Sequence, residues 1–437
     1  MAALDFGRSD DPRVQAQLDR LTALSVPQGR LGLERIRALM ERLDNPHRKL
    51  PPVFHVAGTN GKGSVCAFLR AMLEADGKRV HVTTSPHLVR YNERIRIAGE
   101  LISDEALAEL LEEVLDTGED LAPSFFEVTI ATAFLAFSRT PADACVVEVG
   151  LGGRFDATNV LESDAVAVCG IAALGLDHEK FLLAPEDGVP KEPMARIAFE
   201  KAGIAKKGVP LAALGQVSEA KEEIIAAARR TGAFLHLRGD SWSNSEVPDR
   251  EHSRHVYRDA SGKLVLPQPR MVGAHQLENA GLAVAMLRHQ SALDISTEAI
   301  RTGLLEAVWP ARNQKLAAGP LTGGREVWVD GGHNASAGQA LEDTWAYDRL
   351  HLVIGMLANK NPHAIIDPLR PWTQSVTVVP VPGHESHLPE AFGRGVTPAT
   401  DLPSAIAALP DDGLTVLIVG SLYLAGEALR LNDEIPD

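Results

Sequence analysis

The sequence lacks the long apolar segments that would place a protein in a membrane. In its 437 residues, no apolar run approaches the roughly 20 residues that span a bilayer. The N-terminal sequence MAALDFGRSDDPRVQ has no basic stretch followed by an apolar core, so it is not predicted to be a secretory signal. We therefore expect no membrane partner.

Positive charge is also scarce in this chain. It has 43 Lys and Arg against 58 Asp and Glu, a formal net charge of −15. This balance argues against a nucleic-acid partner bound by broad neutralisation of phosphates. It does not argue against anionic small molecules, because these bind through local cations and helix N-termini.

Cysteine is rare, and its positions favour a reducing compartment. Cys66, Cys145 and Cys169 lie in apolar contexts, and their spacing does not suit a metal site. Buried, reduced thiols are therefore predicted rather than a disulfide. Together with the missing signal sequence, this predicts a cytoplasmic protein.

The chain is too long for one ordinary hydrophobic core, and its apolar runs alternate with helical ones. Such alternation is typical of parallel sheets covered by helices on both faces. Pro310 ends the helix before it, which predicts a linker at this point. Strand-like runs precede and follow the linker. These runs are 53–57, 80–84, 144–149 and 165–171, and then 326–330, 351–356, 375–381 and 414–420.

The predicted architecture is thus α/β with two domains. Residues 1–307 form an N-terminal P-loop ATPase-type domain, 308–313 a linker, and 314–437 a smaller Rossmann-like α/β domain. The second domain has no glycine fingerprint of the dinucleotide type, so the fold alone does not imply NAD. Two further segments carry no obvious chemical signal: a Pro-rich surface insertion at 185–193 and a turn-rich stretch at 239–263.

A glycine-rich turn between a strand and a helix is the strongest functional signal. The run Gly58-Thr59-Asn60-Gly61-Lys62-Gly63-Ser64 follows a strand-like segment and precedes an amphipathic one at 65–73. Glycines let backbone N–H groups face an anion, and the helix N-terminus adds partial positive charge. We predict that Lys62 reaches the outer phosphates of a nucleoside triphosphate and that Ser64 ligates magnesium.

Polar residues at other strand ends extend this site. Ser85 follows one strand and precedes a proline, where its hydroxyl either ligates a hard cation or caps a backbone. Glu148 ends an otherwise apolar strand. Burying a carboxylate there is costly unless it is paired or bound to a metal, so a purely structural Glu148 is disfavoured.

The motifs GTNGKGS (58–64) and TTSPHLVRYNERIRI (83–97) resemble those of folylpolyglutamate synthetases and dihydrofolate synthetases, which belong with the Mur ligases. The resemblance extends from about residue 31 to residue 424. It implies ATP, two magnesium ions and a carbamylated lysine at Lys201, within Glu200-Lys201-Ala202-Gly203. It also implies a metal site formed by Ser64, Ser85, Glu148, His178 and the modified Lys201.

The resemblance assigns the remaining binding residues to three groups. For ATP, it adds Asn279, Arg312 and Asp330 to the loop residues. For the incoming glutamate, it implies His333 and Ser421, with His333 grouped with Lys62 and Lys201 as catalytic. For folate or pterin, it implies Arg94, Phe126 and Asp156, although an Asp in a glycine-rich loop is often only a turn former.

Departures from the family pattern leave these groups in place. The linker reads Pro310-Ala311-Arg312 where the family usually has proline-glycine-arginine. The segment 330–335 reads DGGHNA instead of DGAHNP, and an Asp-Lys-Asp-like run is replaced by Asn359-Lys360-Asn361. The insertion at 185–193 lies between two motifs of the metal site.

The predicted function is an ATP-dependent ligase that forms an amide between L-glutamate and a folate, with dihydropteroate as a second acceptor. Its partners are then small molecules, and we expect a monomer. Two alternatives stay open. One is a Mur-type amino-acid ligase, which the segment 85–97 and the glycine after Lys62 disfavour. The other is a nucleotide switch, since Asn359-Lys360-Asn361-Pro362 nearly matches a guanine-reading N-K-x-D but lacks the aspartate.

Overall fold

The structure is a computed structural model that describes residues 9–24, 32–247 and 254–436. Residues 1–8 of the N-terminal segment, which is not predicted to be a secretory signal, therefore lie outside the described residues. Residues 25–31 lie outside the described residues too, as does the middle of the turn-rich stretch, at 248–253.

The larger sheet lies in the first part of the chain. Its eight strands are β1 (Val53–Ala57), β2 (Val80–Thr83), β3 (Ile95–Ile97), β4 (Glu100–Leu101), β5 (Ala144–Glu148), β6 (Val166–Ile171), β7 (Pro210–Ala213) and β8 (Phe234–Leu237). Their order is β4-β3-β2-β5-β1-β6-β7-β8. Strands β2, β5, β1, β6, β7 and β8 pair in parallel in this order, whereas β3 and β4 add an antiparallel edge. The predicted mainly parallel sheet is confirmed.

Helices cover both faces of this sheet because its central strands are apolar on both sides. Along β5, Val147 packs into one core with Val128, while Val146 packs into the opposite core with Phe68 and Val284. This alternation follows from the two-residue period of a strand. The helices are α1 (Pro12–Ala23), α2 (Glu34–Arg42), α3 (Lys62–Ala75), α4 (Asp104–Gly118), α5 (Phe125–Arg139), α6 (Glu179–Leu182), α7 (Pro193–Ala202), α8 (Ser218–Thr231), α9 (Ala274–His289) and α10 (Thr297–Glu306).

A small antiparallel sheet lies in the turn-rich stretch. It consists of β9 (Trp242–Val247), β10 (Arg254–Asp259) and β11 (Gly262–Pro267), in the order β11-β10-β9. The described part of the turn-rich stretch thus forms paired antiparallel strands.

A second α/β sheet follows the predicted linker. Its strands are β12 (Gln314–Lys315), β13 (Val327–Val329), β14 (Leu350–Ile354), β15 (Thr373–Val378), β16 (Val396–Pro398) and β17 (Thr415–Val419), in the order β12-β13-β17-β14-β15-β16. Only β12 pairs antiparallel with its neighbour. The helices are α11 (Ala335–Trp345), α12 (His363–Leu369), α13 (Leu402–Ala407) and α14 (Leu422–Leu431). The domain bounds at 307 and 314 stay a prediction.

None of the helices in the described ranges combines the length and the apolar character that crossing a membrane requires.

Candidate active site

The glycine-rich turn connects the central strand β1 to helix α3. Gly61 is left-handed, with φ +83°, and caps a helix that begins at Lys62. A side chain at position 61 would place its Cβ 2.4 Å from Asn279 Oδ1. A side chain at position 63 would place its Cβ 2.5 Å from Cε2 of Trp309, which explains why a glycine follows Lys62. N–H groups in the first turn of a helix have no acceptor within the helix, so they are suited to an anion.

Two residues of the turn are already engaged by protein. The N–H groups of Thr59 and Asn60 both donate to Ala173 O, at 2.8 and 3.1 Å. The Thr59 hydroxyl bonds the backbone of Gly175. The predicted contacts of Thr59 and Asn60 with ATP stay predictions, and the phosphate-facing part of the turn begins at Gly61.

Lys62 and Glu148 lie next to each other at the carboxyl edge of the larger sheet. Lys62 Nζ is 3.9 Å from Glu148 Oε1 and 3.4 Å from Thr59 O. Glu148 ends β5, the strand beside β1. Burial raises the pKa of the Glu148 carboxyl, while the charge of Lys62 opposes that shift. A buried carboxylate with a cation at this distance is well placed to bind a metal ion.

Ser85 meets the same carboxylate. It follows β2, which pairs with β5 on the other side, and its backbone N–H donates to Glu148 Oε2 at 3.1 Å. The predicted neighbours Lys62, Ser85 and Glu148 are thus brought together by three adjacent strands. Hard oxygen donors of this kind are what magnesium prefers.

Ser64 is the unusual member of the predicted metal site. The residue is 1% exposed, and within the described part of the chain its hydroxyl has no hydrogen-bond partner. Leaving a buried hydroxyl unpaired costs about 1–3 kcal/mol. A ligand that the hydroxyl would bind offsets this cost, so Ser64 fits the predicted role.

Lys201 reaches the glycine-rich turn from helix α7. It is buried, and its Nζ donates to Gly58 O at 2.8 Å. Burial lowers the pKa of the Lys201 ammonium to about 7, and the charge of Lys62 acts in the same direction. On pattern alone Lys201 would be a surface charge, and the structure shows that it is not.

His178 lies at the same edge, after β6. Its backbone is left-handed (φ 52°), and the residue is exposed. The protein around its ring nevertheless lowers the imidazole pKa to about 4, first by displacing water. Asp177 opposes this shift, and the nearby charges of Lys62 and Lys201 add to it. His178 is therefore close enough to sense both lysines, although no hydrogen bond of its side chain joins it to them within the described residues.

No group of three or more His, Cys, Asp or Glu side chains in the described residues is arranged to hold a metal ion. The predicted donor set contains only two such side chains, Glu148 and His178, beside two serine hydroxyls, and it stays a prediction. The donors suit magnesium better than a transition metal.

Asn279 lies against the turn, as its predicted contact with the nucleotide requires. It belongs to α9 and is buried; its Nδ2 donates to Gln276 Oε1 at 3.1 Å. Its amide oxygen would collide with any side chain at Gly61.

The second sheet contributes the loop after β13. Asp330 accepts bonds from the backbone N–H groups of Asn313 (2.8 Å) and Gly332 (2.7 Å), which shape this loop. Arg312 lies beside it, with Nη1 donating to Ala311 O at 2.9 Å. Its charge is close enough to act on the Glu148 carboxyl, so the predicted ATP-contacting Arg312 faces the same site.

Contacts between the two sheets close the site from this side. The side-chain amides of Asn60 and Asn334 exchange two hydrogen bonds, at 3.0 and 3.2 Å. Asn334 also caps α11 by accepting from Ala337 N at 3.0 Å. A residue of the glycine-rich turn is thus paired directly with a residue of the loop after β13.

The residues predicted to bind the substrate glutamate lie at the carboxyl edge of the second sheet. His333 follows β13, and its Nδ1 donates to Gly331 O at 3.0 Å. Ser421 follows β17 and is buried; its hydroxyl caps α14 by accepting from Tyr423 N at 3.1 Å. The structure shows capping for Ser421, and its contact with glutamate stays a prediction.

The residues predicted to bind folate do not all face open space. Arg94 is 1% exposed; its Nε donates to His87 Nδ1 at 2.8 Å, and its guanidinium lies over the rings of Tyr91 and Phe125. In this position Arg94 holds the loop 85–94 together, and a direct contact with folate stays a prediction.

Phe126 packs against the loop after β5, and Asp156 belongs to that loop. A side chain on Gly150 would collide with the Phe126 ring. Asp156 is buried and accepts bonds from Leu151 N at 2.8 Å and Thr158 N at 3.0 Å, so it forms the turn as a capping residue. Its charge also acts on Lys201, which places it close to the metal motifs.

Sequence reasoning missed two acidic residues of this region. Asp177, beside the predicted His178, bonds Lys360 of the second sheet at 2.6 Å. Glu186, in the insertion considered chemically silent, bonds Arg154 and Arg196. The same arginines bond Glu200, the neighbour of Lys201. In the sequence, the only sign of a role for Glu186 is that this acidic residue lies between two motifs that contain basic residues.

A groove of about 1270 Å³ lies elsewhere, at the amino ends of the strands. Residues of both charges line it, including His47, Asp164 and Lys206. None of the predicted site residues lines this groove. We place the chemistry at the carboxyl edge, where buried charged groups converge.

Comparison with known proteins gives close relatives over nearly the whole chain. No family model matches. The dihydrofolate synthase/folylpolyglutamate synthase of Escherichia coli K12 is 34% identical over 422 residues, 92% of this chain and 92% of that protein. A Bacillus subtilis protein of the same name is 35% identical over 351 residues, 75% of this chain and 76% of that protein.

Solved structures agree with the sequence relatives. Escherichia coli FolC in complex with DHPP and ADP superposes with a TM-score of 0.83 at 31% identity, covering 96% of this chain and 97% of that chain. A bifunctional folylpolyglutamate synthase/dihydrofolate synthase with Mn, AMPPNP and L-glutamate bound has a TM-score of 0.81 at 30% identity, covering 95% and 97%. The predicted two-domain α/β fold is confirmed by these likenesses.

Proposed function

The chain belongs to the dihydrofolate synthase/folylpolyglutamate synthase family, and we propose how its own residues carry out the ligation. The protein is an ATP-dependent ligase that joins L-glutamate to the carboxylate of a folate and uses a divalent cation. The relatives favour this folate branch over the Mur-type alternative and a ligase over a nucleotide switch.

One observation carries the assignment of residues. The N-terminus of α3, the Lys62–Glu148 contact and the backbone of Ser85 meet at one edge of the larger sheet. In open α/β sheets, ligands bind at this carboxyl edge. The Asn60–Asn334 pair brings the second sheet to the same place. A triphosphate and a second substrate can therefore share one site.

Activation is the first step. A carboxylate oxygen of the folate attacks the γ-phosphorus of ATP, the bond to the β,γ-bridging oxygen breaks, and ADP leaves an acyl phosphate behind. Such a transfer depends mainly on positioning and on neutralising charge. We assign this role to Lys62, to the N–H groups of the first turn of α3, and to Asn279 and Arg312 beside them.

Ser64, Ser85, Glu148 and His178 would hold the magnesium ions. Bound there, the ions would supply neutralisation of the phosphate charge. The unpartnered Ser64 hydroxyl and the buried Glu148 carboxylate fit this purpose.

Lys201 fits the carbamate that the family resemblance implies. A neutral amine is needed to add CO₂, and burial lowers the pKa of Lys201 to about 7. A sizeable fraction of the amine is therefore neutral near physiological pH. We propose the modification on this basis, and a crystal structure obtained near neutral pH tests it.

Ligation is the second step. The glutamate amine attacks the acyl carbon, inorganic phosphate leaves, and the amine loses its proton. We assign the placement of glutamate to His333 and Ser421, on the strand ends of the second sheet. Alignment of two reactants can supply roughly 7–11 kcal/mol of a barrier, and exclusion of water protects the acyl phosphate from hydrolysis.

We further propose that dihydropteroate is a second acceptor, with Phe126, Asp156 and the loop held by Arg94 forming the pterin side. The relatives named for both activities support this proposal. We also propose a cytoplasmic monomer. The three free, buried cysteines favour a reducing compartment.

The assignment is tested with pure protein, ATP, Mg²⁺ and glutamate, with and without each acceptor. We expect ADP release to require a folate and the product mass to grow by one glutamate. Dihydropteroate should give dihydrofolate. ADP release that needs neither folate nor glutamate would contradict the ligase, and product with tetrahydrofolate alone would remove only the second acceptor.

A further inference from the structure

One carboxylate of the first sheet holds two residues of the second. Asp177 Oδ1 lies 2.6 Å from Lys360 Nζ, and its other oxygen lies 3.6 Å from His333 Nε2. The side chains are 12%, 17% and 25% exposed, respectively. Asp177 thus pairs with Lys360 across the two sheets and lies beside His333.

The three residues stand at functionally distinct places. Asp177 directly precedes His178, and its Oδ1 also accepts from His178 N at 2.8 Å. Lys360 belongs to the loop after β14, which is held by a bond from His387 Nε2 to Lys360 O at 2.6 Å. His333 belongs to the loop after β13. The carboxylate thus joins the metal-site loop to two neighbouring loops of the glutamate side.

This bridge has a chemical consequence. An acyl phosphate formed before the second sheet is in place is exposed to water, which competes with the glutamate amine. A partly buried ion pair forms only when the two units meet, and removing one partner leaves the other charge uncompensated. His333, which touches the same carboxylate, is then oriented by the contact that closes the site.

We infer that Asp177 and Lys360 are positioning residues that couple closure of the second sheet to placement of His333 for glutamate. The inference rests on the proposed function. We assign neither residue a direct contact with substrate. Their contribution appears as efficient use of ATP and as affinity for glutamate.

The primary test is Lys360→Met in the full-length enzyme, with Lys360→Arg as the conservative variant. We measure ADP released per amide formed, together with KM for glutamate and for ATP. Lys360→Met should raise KM for glutamate about tenfold, equivalent to about 1.4 kcal/mol, and should release several ADP per amide. KM for ATP should change less than twofold, and Lys360→Arg should restore most of the coupling.

Lys315→Met provides a matched control. Lys315 also forms a 2.6 Å ion pair, with Glu326, but these side chains are 54% and 44% exposed and lie on the second sheet alone. This variant should keep the wild-type ratio of ADP to amide. Urea unfolding of each variant shows whether it is folded.

A double-mutant cycle separates a bridge from a direct glutamate contact. If the pair acts as a unit, Asp177→Asn should raise the ADP-to-amide ratio as Lys360→Met does, and the double variant should be no worse than either. Wild-type coupling in Lys360→Met would overturn the inference. So would independent, additive effects of the two changes. Neither result would affect the proposed function, which is tested separately by whether the wild-type enzyme forms a glutamyl product and needs folate for ADP release.

Discussion

The unpartnered hydroxyl of Ser64 gives a prediction in which fold stability and ligand binding move in opposite directions. Ser64→Ala removes a buried hydroxyl that has no partner in the described residues. The burial cost of such a group is about 1–3 kcal/mol. We expect the free energy of unfolding of the ligand-free protein to rise by about 1 kcal/mol, the lower end of that range.

Binding should change in the opposite sense if Ser64 holds the cation. Loss of one ligand should weaken affinity for the ATP–metal pair about tenfold or more, about 1.4 kcal/mol. Stabilisation by saturating ligand falls by a similar amount, because it follows RT ln(1 + [L]/Kd). Urea unfolding with and without Mg²⁺ and a non-hydrolysable ATP analogue measures both quantities, and calorimetric titration gives Kd directly.

Thr132→Ala is the matched control. Thr132 is fully buried, but its hydroxyl donates to Val128 O at 2.9 Å. This change should lower the free energy of unfolding by about 1–2 kcal/mol, since a methyl group and a satisfied bond are lost. It should leave the affinity for nucleotide unchanged. A Ser64→Ala protein that behaves like Thr132→Ala in both measurements would show that Ser64 does not hold the cation.

Three further predictions concern Glu148, Gly61 and two buried histidines. Glu148→Gln should keep the fold and lower kcat about 10²–10³-fold, the loss typical of one preorganised electrostatic group; steady-state kinetics checks this, and a kcat within threefold of wild type would contradict it. Gly61→Ala should weaken nucleotide binding at least tenfold, about 1.4 kcal/mol, because φ is +83° and the new Cβ meets Asn279; an unchanged calorimetric Kd would contradict this. Burial lowers the pKa of His55 to about 3 and of His255 to about 4. The unfolded chain then binds more protons, so stability is full above about pH 6.5 and falls as pH drops towards 4, by about 1.4 kcal/mol per pH unit for each histidine; urea unfolding at several pH values measures this, and a His255→Phe protein with an unchanged slope would rule out His255.

Local sequence signals predicted the centre of the site well. The strand Val53–Ala57, the glycine turn and the helix from Lys62 depend on neighbouring residues, so their pattern is readable. The predicted strands ending at Glu148 and before Ser85 also formed. Because carboxyl ends of parallel strands meet at one edge, the neighbourhood of these residues followed from the fold class.

Contacts between distant segments were not predictable in this way. Asp177 and Lys360 are 183 residues apart, and nothing in either local sequence indicates the partner. The edge strands β3 and β4 were missed because pairing decides them, of β3 with β2 and of β4 with β3, and not their own short sequences. The buried position of Arg94 likewise depends on His87 and two aromatic rings.

Contacts with residues distant in sequence also determine the structural role of the insertion at 185–193. Its Pro-rich composition predicted a surface loop. Glu186 nevertheless lies between Arg154 and Arg196, beside the helix that carries Lys201. A charged residue in a loop shows its role only when its partners are known.

We propose that the turn from Gly61 to Ser64 holds a triphosphate beside a cation bound by Ser64, Ser85 and Glu148. A crystal structure with a non-hydrolysable ATP analogue and Mn²⁺ tests it most directly, because anomalous scattering locates the metal. We expect a peak within about 2.0–2.3 Å of at least two of these side-chain oxygens, a typical range for a hard divalent cation, with the γ-phosphate next to Lys62. A nucleotide bound elsewhere, or a metal peak far from Glu148, would contradict it.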